Sequence, residues 1–354
     1  MRALIESHRV IVCAGSGGVG KTTIAAALGV AAAKMGKRVL VLTIDPARRL
    51  ATALGIANHA NDVRVPGQKY RGQLWAGTID PARIFADYIE RHARDRKTVE
   101  RLLANSLYQQ LSTTLSGSQE FTSLAKLHDA ATRGDYDLVI LDTPPAVHAV
   151  DFLRAPERLN AVFDTAIVSL FMGRTTGLGL VATAWKQGVK LYLAALTRLT
   201  GSAFVATLSD FFSAIDAIAP DIRQTNLLAR KLLLDPSAAF VLISSFDLAK
   251  IQEGEAFQDE LVRAGYHLRK VIVNRAWPRW TQGDAASQAA VRKSLLARGE
   301  RKLADLQEAL ADYYLARRSL HTGFAELLIL PEMDDQIVGL GAVEELAARL
   351  VAEA

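Results

Sequence analysis

The sequence contains one cysteine, Cys13, among its 354 residues. A single thiol cannot build a disulfide framework, nor a site that needs several thiolates from one chain. No segment approaches the roughly 18 consecutive apolar residues that a membrane-spanning helix requires. Glu6 and His8 interrupt the N-terminal stretch where a secretory signal would carry its apolar core. These absences favour a reducing, cytoplasmic setting.

The net charge is also small, +5, in a chain that is 50% hydrophobic, and this combination excludes disorder as the main state. Lys and Arg are mixed with Asp and Glu throughout, so the sequence carries no strong signal for nucleic acid or for a membrane surface. The length suits about two domains, or one large domain with an insertion.

Short runs rich in β-branched residues recur along the chain, each followed by a helical pattern. Runs that are apolar throughout are typical of strands covered on both faces, and their alternation with helices predicts an α/β fold with a parallel twisted sheet. The runs are residues 9–14, 38–44, 74–79, 137–142, 240–244, 270–274 and 327–330. Residues 83–133 and 152–234 lack other such runs, so we expect one domain over residues 1–354 that carries a helical subdomain there.

One part of the second helical stretch has a wide apolar face. Its spacing predicts a helix packed on the core, but it also suits a groove for an apolar segment of a client protein. Both interpretations stay open at this stage. The residues at helical spacing are Phe204, Val205, Leu208, Phe211, Phe212, Ile215 and Ile218.

Residues 15–22, GSGGVGKT, match the pattern G-x-x-x-x-G-K-[ST] between the first predicted strand and a helical pattern over residues 23–34. Glycines let backbone N–H groups approach phosphates, Lys21 neutralises the β and γ oxygens, and the Thr22 hydroxyl holds Mg²⁺. The motif therefore predicts a phosphate-binding loop (P-loop) that also binds Mg²⁺. The expected contacts are Gly15, Ser16, Gly17, Gly18, Val19, Gly20, Lys21, Thr22 and Thr23.

Two carboxylates follow predicted strands. Asp142 ends the run 137–142, where a carboxylate orients Mg²⁺, although an aspartate so close to Pro144 also suits a turn. Asp45 precedes Pro46, which favours a helix N-cap. A carboxylate at this point could also orient the water that attacks the γ-phosphate. We expect Asp45 to have both roles.

Four segments together are more specific than the loop alone. They read GSGGVGKTT from residue 15, TIDPARRLATALG from residue 43, LDTPPAVHAVDFLRAPERL from residue 141 and ILPEMDDQIVGLGAVEELA from residue 329. Together they resemble the arsenical-pump and tail-anchored-protein-targeting ATPases, above all the bacterial branch called anion-transporting ATPases. The same P-loop group contains the plasmid-partition and septum-site ATPases. The resemblance implies a P-loop fold with helices on both faces of the sheet and a dimer driven by ATP.

The resemblance also implies roles for single residues. Asp45 matches the switch-one aspartate that polarises water, Asp142 the switch-two aspartate near the metal, and His148 the histidine of that switch. Asn274 matches an asparagine that recognises adenine, and Asp247 stands where the family has a nucleotide-contacting glutamate.

The loop after Pro331 matches the segment that closes over the base.

Position 16 departs from the family pattern. The family has a lysine there that reaches the phosphates of the other subunit, whereas this chain has Ser16. A homodimer would lack that charge unless Arg48 or Arg49 supplies it. We therefore expect a heterodimer with a lysine-bearing paralogue, with the homodimer as the alternative.

The eukaryotic members bridge their dimer with zinc held by a CxxC pair. Cys13 alone cannot form such a bridge, because structural zinc needs four ligands. We expect no zinc, and no thiolate site for arsenite.

These observations predict a Mg²⁺-dependent cytoplasmic ATPase, whose opening and closing handles an apolar protein client. One alternative is a partition- or septum-type ATPase that binds DNA or membrane. Against it, residues 344–354 carry three Glu and one Arg, unlike a basic membrane-binding helix. The other alternative is a non-hydrolysing, ATP-binding regulatory subunit, which the loss of lysine at position 16 keeps open.

Overall fold

A computed structural model describes most of the chain. The described residues are 1–44, 49–56, 62–92, 96–105, 116–144, 198, 201–277, 285–318, 323–324, 326–333, 337 and 339–352.

The described strands form one sheet in the order β3-β4-β2-β5-β1-β6-β7-β8. Their bounds are β1 Val10–Gly15, β2 Arg38–Thr43, β3 Val63–Arg64, β4 Gln73–Thr78, β5 Leu138–Asp142, β6 Ala238–Ser244, β7 Leu268–Val273 and β8 Leu327–Ile329. The described helices are α1 Arg2–Ser7, α2 Lys21–Lys34, α3 Arg49–Leu54, α4 Pro81–His92, α5 Arg96–Leu103, α6 Ser116–Thr132, α7 Ser202–Leu234, α8 Leu248–Arg263, α9 Ala285–Ala297, α10 Arg301–Arg318 and α11 Leu340–Ala352.

The predicted α/β fold with a parallel sheet is confirmed. Six of the strand pairings are parallel, and every residue of β1, β5 and β6 is buried. Their apolar character on both faces follows from this burial, because helices and loops cover both sides of the sheet centre.

One edge of the sheet carries a short antiparallel strand. The two-residue strand β3 pairs with β4 in the antiparallel direction, with Val63 opposite Ala76 and Arg64 opposite Trp75. Two residues are too short to give a hydrophobic periodicity, so no sequence pattern indicated this strand.

Helix α2 lies against the sheet centre through its small residues. A Cβ added to Gly29 would stand 2.5 Å from a methyl of Val41 and 3.1 Å from one of Leu74. The absence of a side chain at Gly29 therefore allows the helix to approach the sheet closely. On its other side α2 packs against α11, whose Val343 and Leu350 are fully buried.

The chain divides into two compact units. One comprises Met1–Thr78, Ala130–Asp151 and Leu232–Ala354 and contains the sheet, and the other comprises Ile79–Asp129 and Phe152–Lys231. In the second unit, the rings of Tyr88 and Phe121 meet edge to face with centroids 5.1 Å apart, and the Tyr88 hydroxyl lies 2.9 Å from that of Thr225. The helical subdomain over about 83–133 and 152–234 stays a prediction, because most of residues 145–200 lie outside the described part.

The apolar face predicted near residue 211 lies on α7. Phe204 is 41% exposed and Phe211 is buried, whereas the side chains of Phe212, Ile215 and Ile218 lie outside the described residues. The choice between a core helix and a client groove therefore stays open.

Candidate nucleotide site

The glycine-rich loop lies at the carboxyl end of β1, between that strand and α2. Strand β1 pairs with β5 on one side and β6 on the other. The loop therefore stands at the centre of the sheet edge where open α/β folds bind their ligands.

Two glycines of the loop occupy places where a side chain would not fit. Gly15 has φ +149°, and an added Cβ would stand 2.0 Å from the carbonyl oxygen of Ile243 in β6. Gly20 has φ +94°, and its Cβ would stand 2.5 Å from Nδ2 of Asn274. The loop is thus held close to β6 and to the segment that follows β7.

The first turn of α2 suits an anion. Gly20 occupies its N-cap position, and within this fully described helix end no side chain caps the backbone and no acidic residue stands in the first turn. The first backbone N–H groups of a helix carry partial positive charge. Phosphate oxygens would satisfy them.

Lys21 folds back over the loop. Its side chain is buried, and Nζ donates a 2.8 Å hydrogen bond to the backbone oxygen of Ser16. A buried ammonium needs acceptors, and phosphate oxygens would be stronger acceptors than a carbonyl. The lysine is therefore oriented into the loop.

The Asp142 carboxylate accepts hydrogen bonds from hydroxyl groups of two neighbouring elements. Its Oδ2 accepts hydrogen bonds from the Thr22 hydroxyl at 2.6 Å and from the Thr43 hydroxyl at 2.9 Å, and the side chain is 2% exposed. Hydroxyl and carboxylate oxygens are ligands that Mg²⁺ prefers. The donor set at Thr22 and Asp142 therefore fits this ion.

Thr43 was not among the residues indicated by sequence. It pairs with Asp142 in the ladder between β2 and β5, so knowledge of the strand order would have found it.

Asn274 is hydrogen-bonded to the glycine-rich loop. Its Nδ2 donates a 2.9 Å hydrogen bond to the backbone oxygen of Val19, and the residue is 7% exposed. The structure thus brings Asn274 to the phosphate loop itself. Asp247, by contrast, is exposed and caps α8 by accepting hydrogen bonds from the backbone of Ala249 and Lys250.

The other predicted positions fall in two groups. Gly17 and Gly18 are exposed in the loop, Val19 is buried, and Thr23 is half-buried in the first turn of α2. Asp45, Arg48 and His148 lie outside the described residues, as do most residues just after Met333.

Cys13 lies in β1 beside Asp142 and is fully buried. Burial, and next to it the Asp142 carboxylate, raise the pKa of the Cys13 thiol, while Lys21 opposes them. The thiol therefore stays protonated.

Among the described residues no group of three or more His, Cys, Asp and Glu could hold a metal ion.

Glu253 of α8 is a neighbour of the loop that sequence reasoning missed. The nearby Ser16 hydroxyl, and after it the Lys250 ammonium, lower the pKa of its carboxyl. No motif marks this residue, because its approach to Ser16 depends on the pairing of β6 with β1.

Within the described ranges, no helix is both long enough and apolar enough to cross a membrane.

Comparison with known proteins gives one family. A family model described as anion-transporting ATPase matches residues 8–351. An uncharacterized protein of Streptomyces coelicolor is 36% identical over 154 residues, which cover 43% of this chain and 38% of that protein. The ATPase GET3 of Malassezia globosa is 23% identical over 85% of this chain and 82% of its own length. A putative arsenical pump-driving ATPase of Aquifex aeolicus is 32% identical over 48% of this chain and 44% of its own length.

Proposed function

The chain belongs to the anion-transporting ATPase family, and from this premise we propose that it binds Mg²⁺-ATP at residues 15–23 and hydrolyses it. The observation that carries the proposal is the pair of hydrogen bonds in the loop, from Lys21 to the Ser16 backbone and from Thr22 to Asp142. They orient one ammonium, one hydroxyl and one carboxylate around a helix N-terminus.

Lys21 would exchange its bond to the Ser16 carbonyl for oxygens of the β- and γ-phosphates. Thr22 and Asp142 would hold the magnesium ion, with Thr43 fixing the carboxylate from its other side. When bound, the ion neutralises charge on the phosphoryl group that is transferred. Asn274, by holding the Val19 carbonyl, would keep the loop in its binding shape.

Hydrolysis transfers the γ-phosphoryl group to water. The water oxygen forms a bond to the γ-phosphorus while the bond to the bridging oxygen breaks, and ADP leaves with that electron pair. We assign the orientation of the water, and the first acceptance of its proton, to Asp45. The support for Asp45 is its place in TIDPARR and the family resemblance.

The working form would be a dimer in the cytoplasm, formed either with a lysine-bearing paralogue or with a second copy. A relative is named an arsenical pump-driving ATPase, but the single buried Cys13 offers no thiolate cluster for arsenite. A protein client fits this chain better. Exposed apolar side chains on α7, among them Phe204 and Leu227, support an apolar client surface.

The proposal is tested by phosphate release from ATP, with Mg²⁺ and with excess chelator. We expect Lys21→Ala to lower the rate by about 100-fold or more, because the ammonium stabilises charge that develops in the transition state. Lys34→Ala is the matched control, since Lys34 ends the same helix and pairs with Glu344. Equal rates for Lys21→Ala and the unmodified chain would contradict the assigned site.

A further inference from the structure

The residue after Asn274 has a backbone conformation that a side chain disfavours. Among the described residues other than glycine, only Arg275 and Glu326 have a positive φ, +51° and +49°. A residue with a Cβ is strained in this left-handed region. Such outliers persist only where the surrounding structure fixes them, and they are concentrated at functional sites. The conformation of Arg275 therefore points to a role for this residue.

Two backbone hydrogen bonds fix the chain on either side of Arg275. The N–H of Asn274 donates a 2.9 Å bond to the carbonyl oxygen of Ser244, at the end of β6. The N–H of Ala276 donates a 3.0 Å bond to the carbonyl oxygen of Leu330, just after β8. Strands β6 and β8 lie on opposite sides of β7 in the sheet. The left-handed residue is thus held from both sides.

The same segment touches the glycine-rich loop. Asn274 Nδ2 donates a 2.9 Å hydrogen bond to the carbonyl oxygen of Val19. A Cβ added to Gly20 would stand 2.5 Å from that nitrogen. Consecutive Cα atoms are about 3.8 Å apart, so the backbone of Arg275 directly follows a residue in contact with the loop. The long arginine side chain therefore begins beside the loop.

The guanidinium of Arg275 is available to a ligand. The residue is exposed, and within the part of the chain that the structure describes it forms no side-chain hydrogen bond or ion pair. A guanidinium is always charged, and its planar donors match phosphate oxygens in pairs. The segment after β7 thus presents a fixed positive charge next to a loop whose helix end and Lys21 also suit phosphates.

We propose that Arg275 contacts the phosphates of the nucleotide held in the loop, and that its strained backbone is retained because it directs the guanidinium to them. The inference rests on the proposed function, because it concerns the same nucleotide. It adds a cation from the end of β7 to the one that α2 supplies through Lys21.

A purely structural role would be a turn after β7 whose arginine points into solvent. In that case substitutions at Arg275 would change stability alone. In the proposed role, Arg275→Gly changes stability and affinity in opposite directions. Glycine adopts a positive φ without strain, so this variant should be more stable than the unmodified chain. It should nevertheless bind the nucleotide more weakly, because it lacks the guanidinium.

The test is calorimetric binding to the full chain of an ATP analogue with a non-hydrolysable β–γ bridge and, separately, of inorganic tripolyphosphate, both with Mg²⁺. We expect Arg275→Met and Arg275→Gly to weaken both ligands about tenfold or more, because each variant loses charge-assisted hydrogen bonds. Arg275→Lys should lose less, because it keeps the charge. In urea unfolding, the midpoint of Arg275→Gly should lie above that of the unmodified chain.

Two variants are matched controls. Glu326→Gly removes the other positive φ, just before β8, and should raise the urea midpoint while leaving both affinities unchanged. Arg269→Met removes an exposed arginine near the beginning of β7, at the far end of the strand from Arg275. It should bind both ligands as the unmodified chain does.

Unchanged affinities in Arg275→Met and Arg275→Gly would overturn the inference. So would a loss confined to the analogue, because the contact would then be with the base or the ribose. Equal losses in Arg275→Met and Arg269→Met would also overturn it, since any surface charge would then have the same effect. In each case, binding that Lys21→Ala weakens would leave the proposed function intact. Binding that Lys21→Ala does not weaken would instead overturn the proposed function.

Discussion

Residue 142 shows how a single side chain connects the loop to the sheet. Asp142 is the last residue of β5. Its carboxylate accepts hydrogen bonds from the hydroxyl of Thr22 in α2 and from that of Thr43 in β2. A carboxylate held by these two hydroxyl groups can orient a metal ion and also keep Thr22 in place.

We expect Asp142→Asn to lower Mg²⁺-dependent hydrolysis about 100-fold, because an amide is a weaker and uncharged ligand. Binding of ADP without metal should change little. Asp135→Asn is the control, since Asp135 is an exposed aspartate that precedes β5, whereas Asp142 ends that strand. Rates measured across a magnesium titration would contradict this role if both variants behaved alike.

Gly20 is a second residue whose identity is fixed by its surroundings. Gly20→Ala would force a Cβ to within 2.5 Å of Asn274 Nδ2 at a φ of +94°. We expect it to lower the free energy of unfolding by about 1–3 kcal/mol and to weaken nucleotide binding.

Gly67→Ala separates the backbone cost of a positive φ from the steric clash with Asn274. Gly67 has φ +73° but nothing within 4 Å of an added Cβ, so Gly67→Ala carries only the backbone cost of a left-handed residue, about 1–2 kcal/mol. Urea unfolding of both variants would contradict the explanation if Gly67→Ala were the more destabilised of the two.

At the scale of elements, an ion pair joins the beginnings of β2 and β5. The Arg38 guanidinium donates to both oxygens of Asp137 at 2.8 and 3.3 Å, and its backbone N–H donates to Oδ2 at 2.8 Å. These bonds lower the pKa of Asp137 below its usual value of 3.8.

A carboxylate with a lowered pKa stabilises the fold fully above its usual pKa, and this contribution disappears as the pH falls through the lowered value. Asp137→Asn should therefore reduce stability at pH 7, and the difference from the unmodified chain should shrink below pH 3.8. Urea unfolding at a series of pH values checks this. A difference that grew on acidification would contradict the sign.

The same elements show what the sequence could predict. The strands β1, β5 and β6 could be recognised because both of their faces are buried, and Thr22 follows from a motif with a fixed spacing. The hydrogen bond between Thr43 and Asp142 could not be recognised, because it depends on β2 lying beside β5. Strand order is a long-range property that local spacing does not contain.

At the scale of the whole molecule, Cys13 reports on opening of the sheet centre. It is fully buried, and burial raises the pKa of its thiol. A thiol reagent should therefore label native protein only as fast as the sheet opens, and label unfolded protein at once. The rate of labelling in native buffer checks this. Stoichiometric labelling within the mixing time would contradict the buried position.

The central claim is that residues 15–23 hold Mg²⁺-ATP, and a crystal structure with magnesium and a non-hydrolysable ATP analogue tests it most directly. The account predicts phosphates within the loop, Lys21 Nζ moved from the Ser16 carbonyl to phosphate oxygens, and the metal at Thr22 near Asp142. Crystals of Lys21→Ala under the same conditions are the control and should bind the analogue weakly or not at all. An analogue bound elsewhere, or a Lys21 still bonded to Ser16 beside a bound analogue, would contradict the account.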